Sequence, residues 1–457
     1  MKKRFLVVLL SICMLTGLAG CGTETNVQNR TGEETMTGQE ENRNGSSGSN
    51  GSGAENGNGQ AGDTNTATIR VADYTGSHLQ GDVSILRGGI NTFAYEMYDH
   101  LNAGEDLFFS PYSLCTALSL LNVGAGGDTQ AELQEMLGIE DRDAWNEAIR
   151  IYLARTWSEK TYMLTVNSVW LQEDKEWAEN IDADFLQPAA HYYNSELYKL
   201  DFKNNPEEAV EKMNAWADVN TEGMIPEIMK ELPPGMVMAL MNAVYFQGKW
   251  NEPFMEDDTR ERTFYGTDGE KQIDMMHQYG EHYSYVESNG MKGIALPYKD
   301  STIVMKVFIP LEEDGDIESL YNALSTEEKE ALLDSLDTAG REEIATLAIP
   351  KFTMEKEIEG LNDILKDMGM QSAFLETADL DRIAEDVCVS DVLHKAKIEV
   401  DEEGTTAAAV TVITVMECAA MPPEEPVTFI ADRPFVYVLQ DAETGIILFM
   451  GRVNNLE

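Results

Sequence analysis

Ile398-Glu399-Val400-Asp401-Glu402-Glu403-Gly404-Thr405-Thr406-Ala407-Ala408-Ala409-Val410-Thr411-Val412-Ile413-Thr414-Val415 starts as a strand, meets acids and a glycine, and continues with small and β-branched residues alone. After Gly404 the run is weakly hydrophobic for a core strand. Beyond Val415 comes Met416-Glu417-Cys418-Ala419-Ala420-Met421-Pro422-Pro423, which is loop chemistry. A segment of strand-forming residues that ends in prolines suits either a sheet or an exposed loop. Period-two counting puts Thr405, Ala407, Ala409, Thr411, Ile413 and Val415 on one face. Gly404 supplies backbone freedom for a turn.

Outward from this stretch, helical and strand patterns alternate without a fixed repeat. Ile90, Phe93, Ala94, Met97 and Leu101 form an apolar stripe at helical spacing, and Leu114, Leu118 and Leu121 continue the pattern after Ser110-Pro111. Thr129-x-x-Glu132 predicts a capping box for a helix stopping at Gly138. Asn205-Pro206 and Ser325 mark two more helix starts, and a further helix ends near Gly369. Residues 164–171, 237–246, 303–309 and 347–352 read as strands. Residues 435–439 and 446–453 flank a short polar link and predict a hairpin. The class is α+β with large sheets.

The motifs together resemble the serpin family. His394-Lys395-Ala396-x-Ile398-x-Val400-x-Glu402-Glu403-Gly404-Thr405-Thr406-Ala407-Ala408-Ala409 is similar to its hinge and the strand before it. Phe108-Phe109-Ser110-Pro111-Tyr112-Ser113-Leu114, then Gly124-Ala125-Gly126-Gly127-Asp128-Thr129, resemble its early helices. Met241-Asn242-Ala243-Val244-Tyr245-Phe246-Gln247-Gly248-Lys249-Trp250, with Pro253-Phe254, Thr259 and Phe264, resembles its central-sheet strand and exit. Asp432-Arg433-Pro434-Phe435 and Phe449-Met450-Gly451-Arg452-Val453-Asn454 resemble its closing strands. Asn455 departs from the family, which usually has proline there.

The resemblance implies a large central sheet, further sheets, eight to nine helices and an exposed reactive loop over residues 402–425. It implies a single-use protease inhibitor whose loop, once cut, inserts into the central sheet and traps the acyl-enzyme. The hinge Glu402, Glu403, Gly404, Thr405, Thr406, Ala407, Ala408 and Ala409 carries no proline or charge on its inward side chains to block insertion. Family loop length places the cleaved bond at Cys418-Ala419, with Met416, Glu417 and Met421 as alternatives. A small uncharged side chain suits a shallow apolar pocket, so elastase-like serine proteases are the expected partners and cysteine proteases a second class. A free reactive thiol is the competing reading of Cys418, although no cationic neighbour is evident in sequence to activate it. Ser110, Ser113, Asn242 and His394 match the family's polar cluster beneath the sheet opening, and Trp250 the residue under the first insertion point.

Upstream, Lys2-Lys3-Arg4, an apolar run and Leu18-Ala19-Gly20-Cys21 resemble a bacterial lipoprotein signal peptide of residues 1–20, lipidated at Cys21. Residues 21–75, rich in Gly, Asn, Ser and Glu, predict a flexible tether. Residues 76–457 then form one domain, a monomer held by acyl chains on the extracellular face of the membrane or shed from it.

The net charge of −48 excludes nucleic acid as a partner. Cysteines 13, 21, 115, 388 and 418 form no C-x-x-C pair, so neither a zinc site nor a disulfide framework is expected. Histidines 78, 100, 191, 277, 282 and 394 form no H-E-x-x-H, and neither a nucleophile elbow nor a P-loop is present. No enzyme, metal or cofactor is expected. A solute-binding lipoprotein and a non-inhibitory scaffold of the same fold are the alternatives.

Overall fold

The computed structural model describes residues 81–101, 104–155, 157–173, 181, 183–405 and 426–456. The apolar stripe of the first helix, α1 (Ser84–His100), buries Leu86, Ile90, Phe93, Ala94 and Met97. β1 (Leu107–Phe109) leads into α2 (Pro111–Gly124), which is buried on every side and lies against the sheets as a core helix. Ser110 caps it by accepting from Ser113 N–H, with Pro111 in the first turn. α3 (Gly127–Leu137) stops at Gly138, which takes the left-handed conformation at φ 65°. α4 (Arg142–Leu153) follows with Asp141 as its cap.

The capping box expected at Thr129 and Glu132 does not form. Gly126 is the cap, and Thr129 Oγ1 accepts instead from the Asp379 N–H. The Glu132 carboxylate accepts from the Gln371 and Ser372 N–H groups and the Ser372 hydroxyl, tying α3 to a distant loop. A tertiary contact has taken the donors and acceptors that a local box would use.

β2 (Thr161–Gln172), α5 (Ala183–Tyr193), β3 (Glu196–Leu200), α6 (Pro206–Asn220) and β4 (Met238–Lys249) come next. Then run β5 (Arg260–Gly266), β6 (Gly269–Gln278), β7 (Glu281–Ser288), β8 (Met291–Pro297) and β9 (Ile303–Pro310). After α7 (Ile317–Asn322) and α8 (Thr326–Thr338), the run expected as one strand over 347–352 is divided. β10 (Arg341–Pro350) ends at the proline and β11 (Phe352–Glu357) joins the other sheet. α9 (Leu361–Asp367), β12 (Asp391–Val400), β13 (Gly404–Thr405) and β14 (Val427–Ile430) precede the expected hairpin of β15 (Phe435–Asp441) and β16 (Ile446–Val453). The nine helices among the described residues, the two sheets and their mixing give the α+β class expected.

One sheet has ten strands in the order β1-β16-β15-β9-β8-β7-β10-β6-β5, with β14 parallel on β10. The other has six, ordered β11-β12-β13-β4-β2-β3; β4 is buried along nearly all its length, whereas β11 exposes alternate residues. Along β4, Leu240, Val244 and Phe246 join the main core, whereas Ala239, Met241 and Ala243 join a second cluster under α6 with Trp170, Met213 and Trp216. The period of two therefore sorts one strand between two apolar layers. Asn242 falls on the α2 side.

α8 carries a complete capping box, with Ser325 Oγ accepting from Glu328 N–H and the Glu328 carboxylate accepting from Ser325 N–H. Ser325→Ala should lower stability by about 1 kcal/mol, read as a lower melting temperature. An unchanged melt would show that α8 is held by packing alone.

Candidate functional site

The site is the seam between β12 and β4. These strands run parallel and pair from Asp391↔Ala239 to Lys395↔Ala243, then part. At mid-seam, Asn242 faces His394 across the pair, and Asn167 of β2 faces Asn242 from the other side. This polar row meets α2. Ser110 N–H donates to His394 Nε2 at 3.1 Å, and Ser110 Oγ donates to Leu448 O at 2.6 Å. Ser113 Oγ donates to Asn242 Oδ1, and Asn242 Nδ2 donates to Asn167 Oδ1 at 2.9 Å.

Accepting at Nε2 puts the His394 proton on Nδ1, which has no partner among the described residues, nor has Asn167 Nδ2. Burial without a countercharge pushes the His394 pKa down to about 3, so the ring is neutral. The cluster ties both strands to α2 through neutral hydrogen bonds.

Where β12 and β4 part, the chain turns back between them. Gly404 pairs with Lys249, and Thr405 with both Gly248 and Val400, antiparallel to each neighbour. The turn is closed by Asp401, whose carboxylate accepts from Glu403 N–H and Gly404 N–H at 3.0 and 3.1 Å. Trp250 spans it, donating from Nε1 to Asp401 O and from its amide to Glu403 O. Gly404 cannot be replaced without movement, since a Cβ there would lie 2.0 Å from the Gly248 carbonyl oxygen.

Glu402 is buried and anchored, accepting from Lys351 Nζ at 2.8 Å and from the Thr259 hydroxyl at 2.7 Å. Burial alone would raise its carboxyl, but these two bonds outweigh burial and hold it below the usual carboxylate range. Glu403, less buried than Glu402, reaches Lys249 at 3.3 Å. Thr405 Oγ1 lies 2.8 Å from the hydroxyl of Tyr298, itself stacked on Trp250.

Ser110, Ser113, Asn242 and His394 thus meet at mid-seam, and Trp250 with 402–405 at its open end. Thr406, Ala407, Ala408, Ala409, Cys418, Ala419 and Cys21 lie outside the described residues. Sequence reasoning missed Asn167, Lys351 and Tyr298, and placed Thr259 only in a strand exit. The one available signal was Asn167, a polar residue in an otherwise strand-like run. Cys115 and Cys388 are free thiols, and burial raises both pKa values, which argues against reactivity at either.

The site is thus a parallel strand pair that parts at one end, with the antiparallel start of a third strand between its members. The serpin (serine protease inhibitor) profile matches residues 89–456. A serpin-like protein of Thermococcus kodakarensis is 36% identical over 383 residues, covering 82% of this chain and 87% of its own. Horse leukocyte elastase inhibitor is 32% identical, covering 79% and 97%. The crystal structure of tengpin, a thermophilic serpin in its native state, superposes with a TM-score of 0.74 at 28% identity, covering 83% and 96%. The chain belongs to the serpin family.

Because His394 is held neutral, protons bind the unfolded chain first. Its ring titrates near 6.5 when unfolded and near 3 when folded. The stability it contributes is complete above about pH 6.5 and is lost progressively as pH falls toward the folded value, by at most about 1.4 kcal/mol per pH unit. Denaturation at pH 7 and pH 5 should therefore show about 2 kcal/mol more acid loss in the parent than in His394→Asn. Equal slopes would remove His394 as the cause.

Proposed function

We propose that this chain inhibits serine proteases by presenting residues 402–425 as bait, with cleavage at Cys418-Ala419. The protease serine attacks the Cys418 carbonyl carbon, the Ala419 amine leaves, and residues after Thr405 enter the seam before water releases the ester. Elastase-like enzymes are the preferred targets and cysteine proteases a second class. The small Cys418 side chain supports the first preference, as does the likeness to leukocyte elastase inhibitor.

The observation that carries this reading is the antiparallel start of a strand, Gly404–Thr405, between two mutually parallel strands. Continuing either ladder along the chain leads to the same place. Six residues beyond Thr405, Thr411 would face Asn242 on one side and His394 on the other. Each parallel rung would be exchanged for two antiparallel ones, which pair slightly better per residue. The inward positions between are Ala407 and Ala409, small enough to enter a packed sheet.

Thr405→Arg tests the reading. It would put a cation where the native side chain is 1% exposed, at a cost on the order of several kcal/mol if unpaired. Mixed with pancreatic elastase, the parent should give a covalent complex stable on a denaturing gel. The variant should be cut while the protease escapes. An equal yield of complex would sink the hinge assignment, and no complex from the parent would favour a non-inhibitory scaffold.

We further propose that Cys21 carries the lipid, that residues 21–75 tether the 76–457 domain, and that the protein works as a monomer at the bacterial cell surface. The support is the signal-like sequence of residues 1–20. Mass analysis of the mature N-terminus should find acylated Cys21. Another N-terminal residue without acyl mass would contradict this placement.

A further inference from the structure

Tyr298 belongs to the frame around the seam, yet its hydroxyl reaches the hinge. It follows β8 of the ten-stranded sheet and forms an antiparallel bridge with Trp250, just past β4. Lys299 N–H donates to Lys249 O at 2.7 Å and Asn251 N–H to Pro297 O at 2.9 Å, fixing the two segments together. The Tyr298 ring stacks on Trp250 with centroids 4.6 Å apart and meets Phe246 edge-on at 5.0 Å. It passes over Gly248, where a Cβ would lie 2.5 Å from its Cδ1. Gly248 is also the residue opposite Thr405. A rigid ring therefore crosses a gap left by one glycine and ends 2.8 Å from the Thr405 hydroxyl, with both side chains 1% exposed.

We propose that Tyr298 is a positioning residue for strand insertion, its hydroxyl latching Thr405 so that the first rung of the incoming strand is formed before the loop is cut. This rests on the inhibitory reading above and adds a residue to it. The first rung of any ladder is the costly one, because chain must be ordered before pairing compensates. A rung already held leaves only propagation. Insertion races against hydrolysis of the acyl-enzyme, so an advance in the first step moves the partition between trapping and escape. Both hydroxyls are buried, and the net worth of one neutral hydrogen bond corresponds to about a two- to tenfold change in the latched population.

The test uses the full chain with pancreatic elastase as the probe protease. Tyr298→Phe and Thr405→Val each remove one hydroxyl and keep the shape. Each should raise the number of inhibitor molecules consumed per protease trapped by about two- to tenfold. The double variant should be no worse than either single, and Thr405→Ser should stay near the parent. If Tyr298 served only as packing, Tyr298→Phe would match the parent, since the ring is retained. That result, or additive losses in the double variant, would overturn the latch. In the uncut chain, hydrogen exchange at the Gly404 and Thr405 amides should quicken by a similar factor in both single variants, and unchanged exchange would also overturn it. If the parent traps no protease, the inhibitory reading falls and exchange alone decides the latch.

Discussion

Five parallel rungs, 391–395 of β12 against 239–243 of β4, are the contact on which the rest of the molecule depends. They join β4, buried on both faces, to β12, half-buried on one, so their strength comes less from the ladder than from the layers above and below it. On one side, Met241 and Leu393 pack in the cluster under α6. On the other, Leu240 and Val392 belong to the main core with α2. A third strand entering the seam leaves both layers in place only if its side chains repeat the same alternation with little bulk. This constraint links the residues after Gly404 to the packing of strands far from them in sequence.

The two ends of the hinge are held differently, and the difference sets a pivot. Glu402, itself buried, is fixed by an ion pair with the exposed Lys351 and a hydroxyl bond from Thr259, and the carbonyls of 401–403 are held by Trp250 and Phe254. Thr405 is held by one hydroxyl and its ladder partners. Removing a partner from the buried carboxylate strands a charge, whereas releasing Thr405 costs neutral bonds only. The proposed insertion would therefore pivot at Gly404. That glycine is required because only a residue without Cβ can pass the Gly248 carbonyl.

Much of this was legible in the sequence wherever one element determines its own character. The stripe of α1, the stop of α3 at Gly138 and the β15–β16 hairpin follow from local periodicity and turn residues. What was not legible depends on partners brought together by topology. Lys351 after a proline resembles a surface charge, and its carboxylate partner is 51 residues away. Tyr298 resembles a strand-end aromatic until its hydroxyl is seen against Thr405, 107 residues on. Thr129 and Glu132 show the converse error, since a correct local motif lost its groups to Asp379, Gln371 and Ser372. Spacing alone reports what residues are able to bond, and tertiary packing decides what they do bond.

The polar row at mid-seam then has a physical reason. An apolar seam would gain from closing as much as from being filled, and nothing in it would favour an incoming strand. Asn167, Asn242 and His394 change that balance, because two of their buried donors, Asn167 Nδ2 and His394 Nδ1, stay unpaired among the described residues while the seam is closed. An unpaired buried polar group costs about 1–3 kcal/mol. That cost falls on the closed state and is relieved by any neighbour that brings an acceptor. The register of Gly404–Thr405 would deliver the Thr411 hydroxyl to this rung, between Asn242 and His394. The closed seam is thus held by Ser110 and Ser113 bonds from α2 and made imperfect by the donors those bonds leave over. A neutral histidine suits this role because a charged one would demand a fixed counterion, and that counterion would stand in the path of a strand inserted as proposed.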